Sequence, residues 1–405
     1  MSEILEQARE ILKEHELCDW CLGRQFAKLG HGLSNRDRGR AIRILLSLED
    51  DKPYEGPAFC GLCLGNLPRV EQWAERALAE LEGIEFKKFV VGSHLPDFLK
   101  KQEGELQERY GLEQAGTLKH DLNREVGKRL EAALQARGIE AEVDLRRPEV
   151  AVLLDLVWDR VELEITPLFI YGRYRKLVRG IPQTHWPCRR PGPHCRKGKI
   201  YPESVEELIS PPLLEAARGS SSAFHGAGRE DIDALMLGRG RPFVVEIRGP
   251  RVRGLDLQAL EEEINRSVVG KVEVQGLKFT ERERVERLKA ARAEKLYRAK
   301  VEFARPLSAA RLKRALEGLV GPIAQRTPQR VAHRRADRVR TRQVHKIEGE
   351  LLSEREALIE VRCAGGLYVK ELISGDGGRT EPSLAGLLEV PAKVRELDVL
   401  EVFAD

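Results

Sequence analysis

Three observations make this a multidomain α+β protein. At 405 residues, with 41% hydrophobic and 33% charged side chains, the chain suits two or three globular domains, each able to bury a core. After residue 220, at least six segments read as strands, with few helical patterns between them. Such runs favour a mostly antiparallel, mixed sheet. Before residue 170, helical and strand patterns mix in an α/β region of their own, behind two Cys-x2-Cys pairs. No run approaches the ~18 apolar residues of a membrane span, and the charged amphipathic start MSEILEQAREILKEHEL has no signal-peptide core. The expectation is a cytoplasmic protein with no membrane partner.

After the first helix come Cys18 and Cys21, and about forty residues on, Cys60 and Cys63. Two such pairs read as a four-thiolate zinc site, each pair forming a knuckle that supplies two sulfurs of a tetrahedron. The alternatives are free buried thiols or a disulfide, which a cytosol would reduce. Gly23 and Gly65, behind the pairs, suit tight knuckle turns, and the site would clamp a small helical insert. Four thiolates leave no open position, so the metal's role would be structural. An amphipathic helix over 70–83, a strand over 86–91, a helix over 122–136 and a hairpin of 150–158 with 161–165 follow. The polar stretch 100–119 reads as a loop or irregular helix. The domains expected are 1–69 around the metal, 70–170 as an α/β domain, 171–219 as a linker, and 220–405.

The segment YGRYRKLVRGIPQTHWPC (171–188) interleaves Arg173, Arg175, Lys176 and Arg179 with two tyrosines and a tryptophan. Aromatics that stack on bases and cations that meet phosphates suit RNA; a linker packed on a neighbouring domain fits equally. Cys188 and Cys195, with His185 and His194, make a second metal conceivable.

The stretch 220–250 places Arg229 directly before Glu230, Asp231 and Asp233, on a glycine-flexed loop that feeds the apolar strand 243–247. An arginine beside an aspartate favours its ionised, nucleophilic form; a solvated turn is the plain alternative. Strands over 271–274 and 297–303 and a helix over 307–319 come next. From Arg305 to Lys346 twelve Lys or Arg oppose two acids, Glu317 and Asp337, a net charge of +10 over 42 residues in a chain of net +4. That is the footprint of a polyanion partner, with Arg330, Arg334, Arg335 and Arg338 on a strand or loop lying along phosphates. Segments 357–363, 368–373 and 397–403 complete the strand candidates, although GGLYVKELI could equally be helical. No Walker loop, no dinucleotide fingerprint and no Ser-His-Asp set is present, so no catalytic cofactor is indicated.

With CDWCLGRQF and CGLCLG, YGRYRKLVRGIPQTHWPC, GREDIDALMLGRGRPFVVEIRGPR, KLYRAKV, and YVKELISGDGGRTEPSLAGLL with LDVLEV, the chain resembles the archaeal tRNA pseudouridine synthases of the TΨC arm, which act at positions 54 and 55. The motifs occur in order over nearly the whole chain. The resemblance implies a zinc-bearing region with a THUMP-type RNA-binding domain, then a pseudouridine-synthase domain. It implies Asp231 rather than Asp233 as the catalytic aspartate, Lys370 as its partner, and Tyr297, Tyr368 and Arg229 at the substrate. The richer cysteine cluster of such proteins after WPC is reduced here to Cys188 and Cys195. The expected reaction isomerises uridine in tRNA without a cofactor, by a monomer with no obligate protein partner. A non-catalytic tRNA-binding protein or chaperone is the alternative, but binding alone does not require Asp231, Tyr297 and Lys370 together. A methyltransferase or thiolase would need a nucleotide site that the sequence lacks.

Overall fold

The computed structural model describes residues 2–57, 59–188, 199–291, 293–333 and 336–404. They form two compact units, Met1–Thr166 and Pro167–Asp405. The first contains α1 (Ser2–Glu14), α2 (Asp19–Gln25), α3 (Asn35–Glu49), α4 (Val70–Glu80), β1 (Lys88–His94), α5 (Asp97–Arg109), α6 (Leu118–Ala136), β2 (Glu142–Val143), β3 (Val150–Asp155) and β4 (Arg160–Ile165). Its sheet order is β2-β1-β3-β4, with β1 parallel to both neighbours and β3–β4 the expected antiparallel hairpin.

One core runs from Leu5 to Leu154, so the segments 1–69 and 70–166 fold around the same apolar interior. Two helices within it meet through glycines. A Cβ on Gly23 would lie 1.8 Å from the Asn35 carbonyl oxygen, and one on Gly39 would lie 1.9 Å from that of Asp19. Gly23 therefore sits inside α2 and permits close approach to α3, rather than turning a knuckle; Gly65, at φ +78°, is the one in a turn conformation. The stretch expected as loop or irregular helix contains a regular helix, α5. Leu99, Glu103 and Leu106 fall on one buried face, and Glu103 is charge-paired with the fully buried Arg24. A carboxylate in the apolar stripe hides the period in the sequence, and only its partner across the core makes it tolerable.

The second unit contains β5 (Leu168–Lys176), α7 (Val205–Ala216), β6 (Ser221–Gly226), β7 (Ala234–Arg248), α8 (Leu257–Ser267), β8 (Val272–Thr280), α9 (Arg282–Ala290), β9 (Glu294–Phe303), α10 (Ala309–Glu317), β10 (Gly321–Arg326), β11 (Val339–Ser353), β12 (Glu356–Cys363), α11 (Val369–Ser374), β13 (Thr380–Glu381), α12 (Leu384–Leu388) and β14 (Ala392–Phe403). Its ten-stranded sheet runs β13-β10-β11-β12-β9-β14-β7-β5-β8, with β6 paired to β7. Among the described residues its ladders are antiparallel except β14 with β7, where Leu397 to Val399 meet Ala234 to Met236. The mixed, mostly antiparallel sheet is as expected.

One expectation fails. Residues 171–176, expected as the start of a linker, belong to an internal strand, hydrogen-bonded to β7 on one side and β8 on the other. The tyrosines that suggested RNA are core residues: Tyr174 packs on Phe224 and Phe243 at ring distances of 5.9 and 6.0 Å. Of the two readings left open for GGLYVKELI, the structure takes the helix, over residues 369–374 with Tyr368 at its N-cap. Its apolar residues Val369, Leu372 and Ile373 are spaced to face one core.

Candidate active site

Asp231 lies on the loop between β6 and β7, beside the junction where β7 runs parallel to β14. The loop floors a cleft of about 900 Å³ whose walls include Tyr297 of β9, Leu397 and Val399 of β14, Tyr368 and Lys370 at the start of α11, and Arg330. Gly228 opens the loop at φ +78°, a conformation that a side chain would strain. The carboxylate of Asp231 is gripped from both sides. Its Oδ1 is 3.3 Å from Arg330 Nη1, and its Oδ2 is 3.4 Å from Lys370 Nζ. Lys370 is thus beside Asp231 as expected, but it is shared. It donates more closely to Asp233, at 2.9 and 2.7 Å. Burial would push Asp233 up, yet the bond and charge of Lys370, with smaller help from a backbone bond and Arg330, together leave its carboxyl below its ordinary value. Arg330 is anchored in turn by Glu371 at 2.7 Å and stacks 5.8 Å from the Tyr368 ring. Its pKa is raised: Glu371 and Asp231 outweigh the desolvation that would lower it.

The sequence marks Arg330 as an RNA contact; its side chain instead turns into the cleft. Lys176, another expected RNA contact, is fully buried and donates to the carbonyls of Ile181, Asp231 and Ile232 at 3.0 to 3.2 Å. Arg173 turns inward too, donating to the carbonyls of Arg239, Gly240, Val402 and Ala404. Arg175 pairs with Glu273. Arg179 donates to the Asp233 carbonyl at 2.8 Å. These cations hold strands and the Asp231 loop in place because backbone carbonyls taken out of water require donors. Arg338 is exposed, consistent with a surface role; Arg334 and Arg335 lie outside the described residues. Arg229 lines the cleft and stacks on Trp186 at 5.0 Å.

Under the loop lies a charged cluster that the sequence does not reveal. Glu230, in sequence one of three neighbouring acids, is buried and accepts from Tyr174 (2.8 Å) and Arg241 Nε (2.8 Å), with Lys176 3.9 Å away. Arg241 also donates to the Ala227 carbonyl, and Gln183 donates to that of Gly228 and to the Tyr174 hydroxyl. Burial, and then Glu230, push the Tyr174 hydroxyl well above its ordinary value, so it remains a donor. Tyr297 is also raised, by burial and then by Cys363, and is protonated at neutral pH. Five of the seven carbonyls from Ala227 to Asp233 thus receive side-chain bonds, which fixes the loop before any substrate arrives.

In the first unit, Cys18, Cys21, Cys60 and Cys63 converge, their sulfurs all within 4.8 Å of one another. The Cys18–Cys63 distance of 3.8 Å matches the edge of a tetrahedron with bonds of about 2.3 Å. Arg24 Nη2 lies 3.5 Å from Cys21 Sγ, and the Asn66 amide donates to the Cys63 carbonyl. The residues fit a tetrahedral metal. For a second site, His194 and Cys195 lie outside the described residues.

Family models match two stretches: the archaeal Pus10 THUMP domain over residues 73–155 and the Pus10 C-terminal region over residues 169–403. The tRNA pseudouridine synthase Pus10 of Methanothrix thermoacetophila is 48% identical over 99% of this chain and 95% of its own length. The same-named proteins of Halorubrum lacusprofundi and Pyrococcus furiosus are 45% and 42% identical, each over 99% of this chain and 96% and 98% of theirs. A solved chain of a Cbf5-Nop10-Gar1 complex aligns over 58% of this chain and 50% of its own with a TM-score of 0.32 at 17% identity, a likeness too slight to carry weight.

Proposed function

The chain belongs to the Pus10 family of tRNA pseudouridine synthases, and on that premise we propose that Asp231 is the nucleophile that isomerises uridine at positions 54 and/or 55 of the TΨC arm. The observation that carries this reading is the placement of Asp231: on a pinned loop, held between Arg330 and Lys370, in a cleft shared with Tyr297. The reaction breaks the bond between ribose C1′ and uracil N1, turns the base and joins C5 to C1′, with no net redox change or energy input. No catalytic cofactor is required.

The target uridine leaves its stack at a cost of a few kcal/mol, offset by contacts elsewhere on the tRNA. Asp231 then attacks C1′, or removes the C2′ proton to leave a glycal; by either route the N1 electron pair departs with uracil. The paired cations orient both carboxylate oxygens, and the buttressed loop keeps them in reach of C1′. Tyr297, protonated, stacks on the flipped base and can donate a hydrogen bond near it. Tyr368 lines the pocket, and Arg229 meets the substrate at the rim. Arg338, with Arg334 and Arg335, contributes phosphate contacts, and the THUMP domain further RNA affinity. The four cysteines would hold Zn²⁺, which supplies folding energy rather than chemistry. The enzyme works as a monomer in the cytoplasm; among the described residues, no helix is long and apolar enough to cross a membrane.

The test is incubation of the purified protein, without cofactor, with an unmodified tRNA transcript, followed by mapping of pseudouridine. Wild-type product with none from Asp231→Asn supports the assignment. Product from both variants transfers the role to another carboxylate, with Asp233 the first to try. Tight binding without product from either leaves a tRNA-binding protein.

A further inference from the structure

Lys295 is a cleft residue to which neither the sequence motifs nor the scheme above gives a task. It lies on β9 two residues before Tyr297, and since side chains alternate along a strand, the two project to the same face and line the same cavity. Its ammonium reaches the Asp231 loop: a Cβ built on Gly228 would stand 3.7 Å from Lys295 Nζ. No hydrogen bond or ion pair engages that ammonium among the described residues, whereas three other cations around Asp231 have carboxylate partners. Arg330 has Asp231 and Glu371, Lys370 has Asp231 and Asp233, and Arg241 has Glu230. The groups facing Lys295 give it no counter-charge. Arg241 is a cation, and Cys363, opposite it on β12, is a neutral thiol that burial pushes up to about 12.

A half-buried ammonium with no acid beside it is unfavourable in the empty protein, since charges drawn out of water are normally paired. A cavity wall that keeps one is built for an anion that arrives or forms there. We propose that Lys295 is a catalytic residue that binds a uracil carbonyl oxygen and stabilises the anion the base becomes when its bond to ribose breaks. The inference rests on the uridine isomerisation above but not on its route. Whether C1′ bonds to the Asp231 carboxylate or becomes part of a C1′=C2′ double bond, uracil departs with the N1 electron pair, its charge spread onto the carbonyls. Lys295 donates hydrogen bonds throughout and neither gains nor loses a proton. The placement beside Tyr297, which stacks on the ring, puts a donor at the ring's edge.

The experiment is single-turnover conversion by full-length Lys295→Met of tRNA transcripts made with uridine or with 5-fluorouridine, whose fluorine already stabilises the departing anion. Loss of the starting nucleoside is read by mass spectrometry. The uridine rate should fall about 100- to 1,000-fold, the effect of removing one preorganised donor. The fall on 5-fluorouridine should be roughly tenfold smaller, with tRNA affinity unchanged, as for a contact made in the transition state alone. Lys295→Gln carries the same comparison if the methionine variant does not fold. Equal losses on the two substrates, or no loss, overturn the role of Lys295. A wild type that makes no pseudouridine overturns the reaction assignment and the inference with it.

Discussion

Two cation-rich stretches, 171–188 and 305–346, read alike in sequence and fold to opposite ends. In the first, Arg173, Lys176 and Arg179 turn inward onto backbone carbonyls, and the aromatic Tyr174 becomes core. In the second, Arg338 stays at the surface while Arg330 leaves its neighbours to grip Asp231. Charge density identifies neither RNA contact nor scaffold by itself. What separates them is whether the cation stands on or beside a strand whose carbonyls and neighbouring buried Glu230 require donors, as on β5, or between strands, as Arg330 and Arg338 stand between β10 and β11.

Substitutions can break that contrast. The largest effect belongs to the inward set: Arg241→Met leaves Glu230 buried without its main cation and should lower stability by about 3–5 kcal/mol, seen as a reduced urea midpoint. A variant as stable as wild type would mean that the cluster is not a keystone of the Asp231 loop. Next, Arg330→Gln should lower kcat by roughly 10- to 100-fold while tRNA affinity changes little, because it positions Asp231 rather than phosphate. A loss confined to affinity would return Arg330 to the RNA surface. The unpaired Lys295 sharpens the contrast through pH. Burial and then Arg241 hold its amine at about 8 instead of 10.5. The charged form is therefore present below about 8 and lost as pH rises through it, and the single-turnover rate should fall roughly tenfold per pH unit beyond. In Lys295→Arg that alkaline limb should disappear, since guanidinium stays charged. The smallest effect belongs to the exposed set. Arg338→Ala should weaken tRNA binding alike across sequences and reduce the slope of log affinity against log salt by about one, with kcat unchanged.

Much of this was legible locally. The four cysteines are found from spacing, because each Cys-x2-Cys pair prepares its own half of a tetrahedron. The strands 297–303, 357–363 and 397–403 follow from period-two alternation, since each buries one face. Asp231 stands out through the family motif around it. The helix α5 was obscured because Glu103 interrupts its apolar face, and Arg24, which answers it, lies 79 residues away. The second-unit boundary was misplaced because β5, read alone, has the composition of a nucleic-acid linker.

By itself the sequence determined the class of the protein, the four cysteines that converge, its strand periods and the motif bearing the aspartate, for these depend on residues close together in the chain. Only the tertiary structure decided which cations serve the aspartate and which serve the fold. Arg330 comes to Asp231 across 99 residues and Lys370 to Asp233 across 137. Whether a given lysine is an exposed charge, a buried donor or an unpaired ammonium depends on the solvent and partners the sheet leaves around it, and those are set only once distant strands have paired.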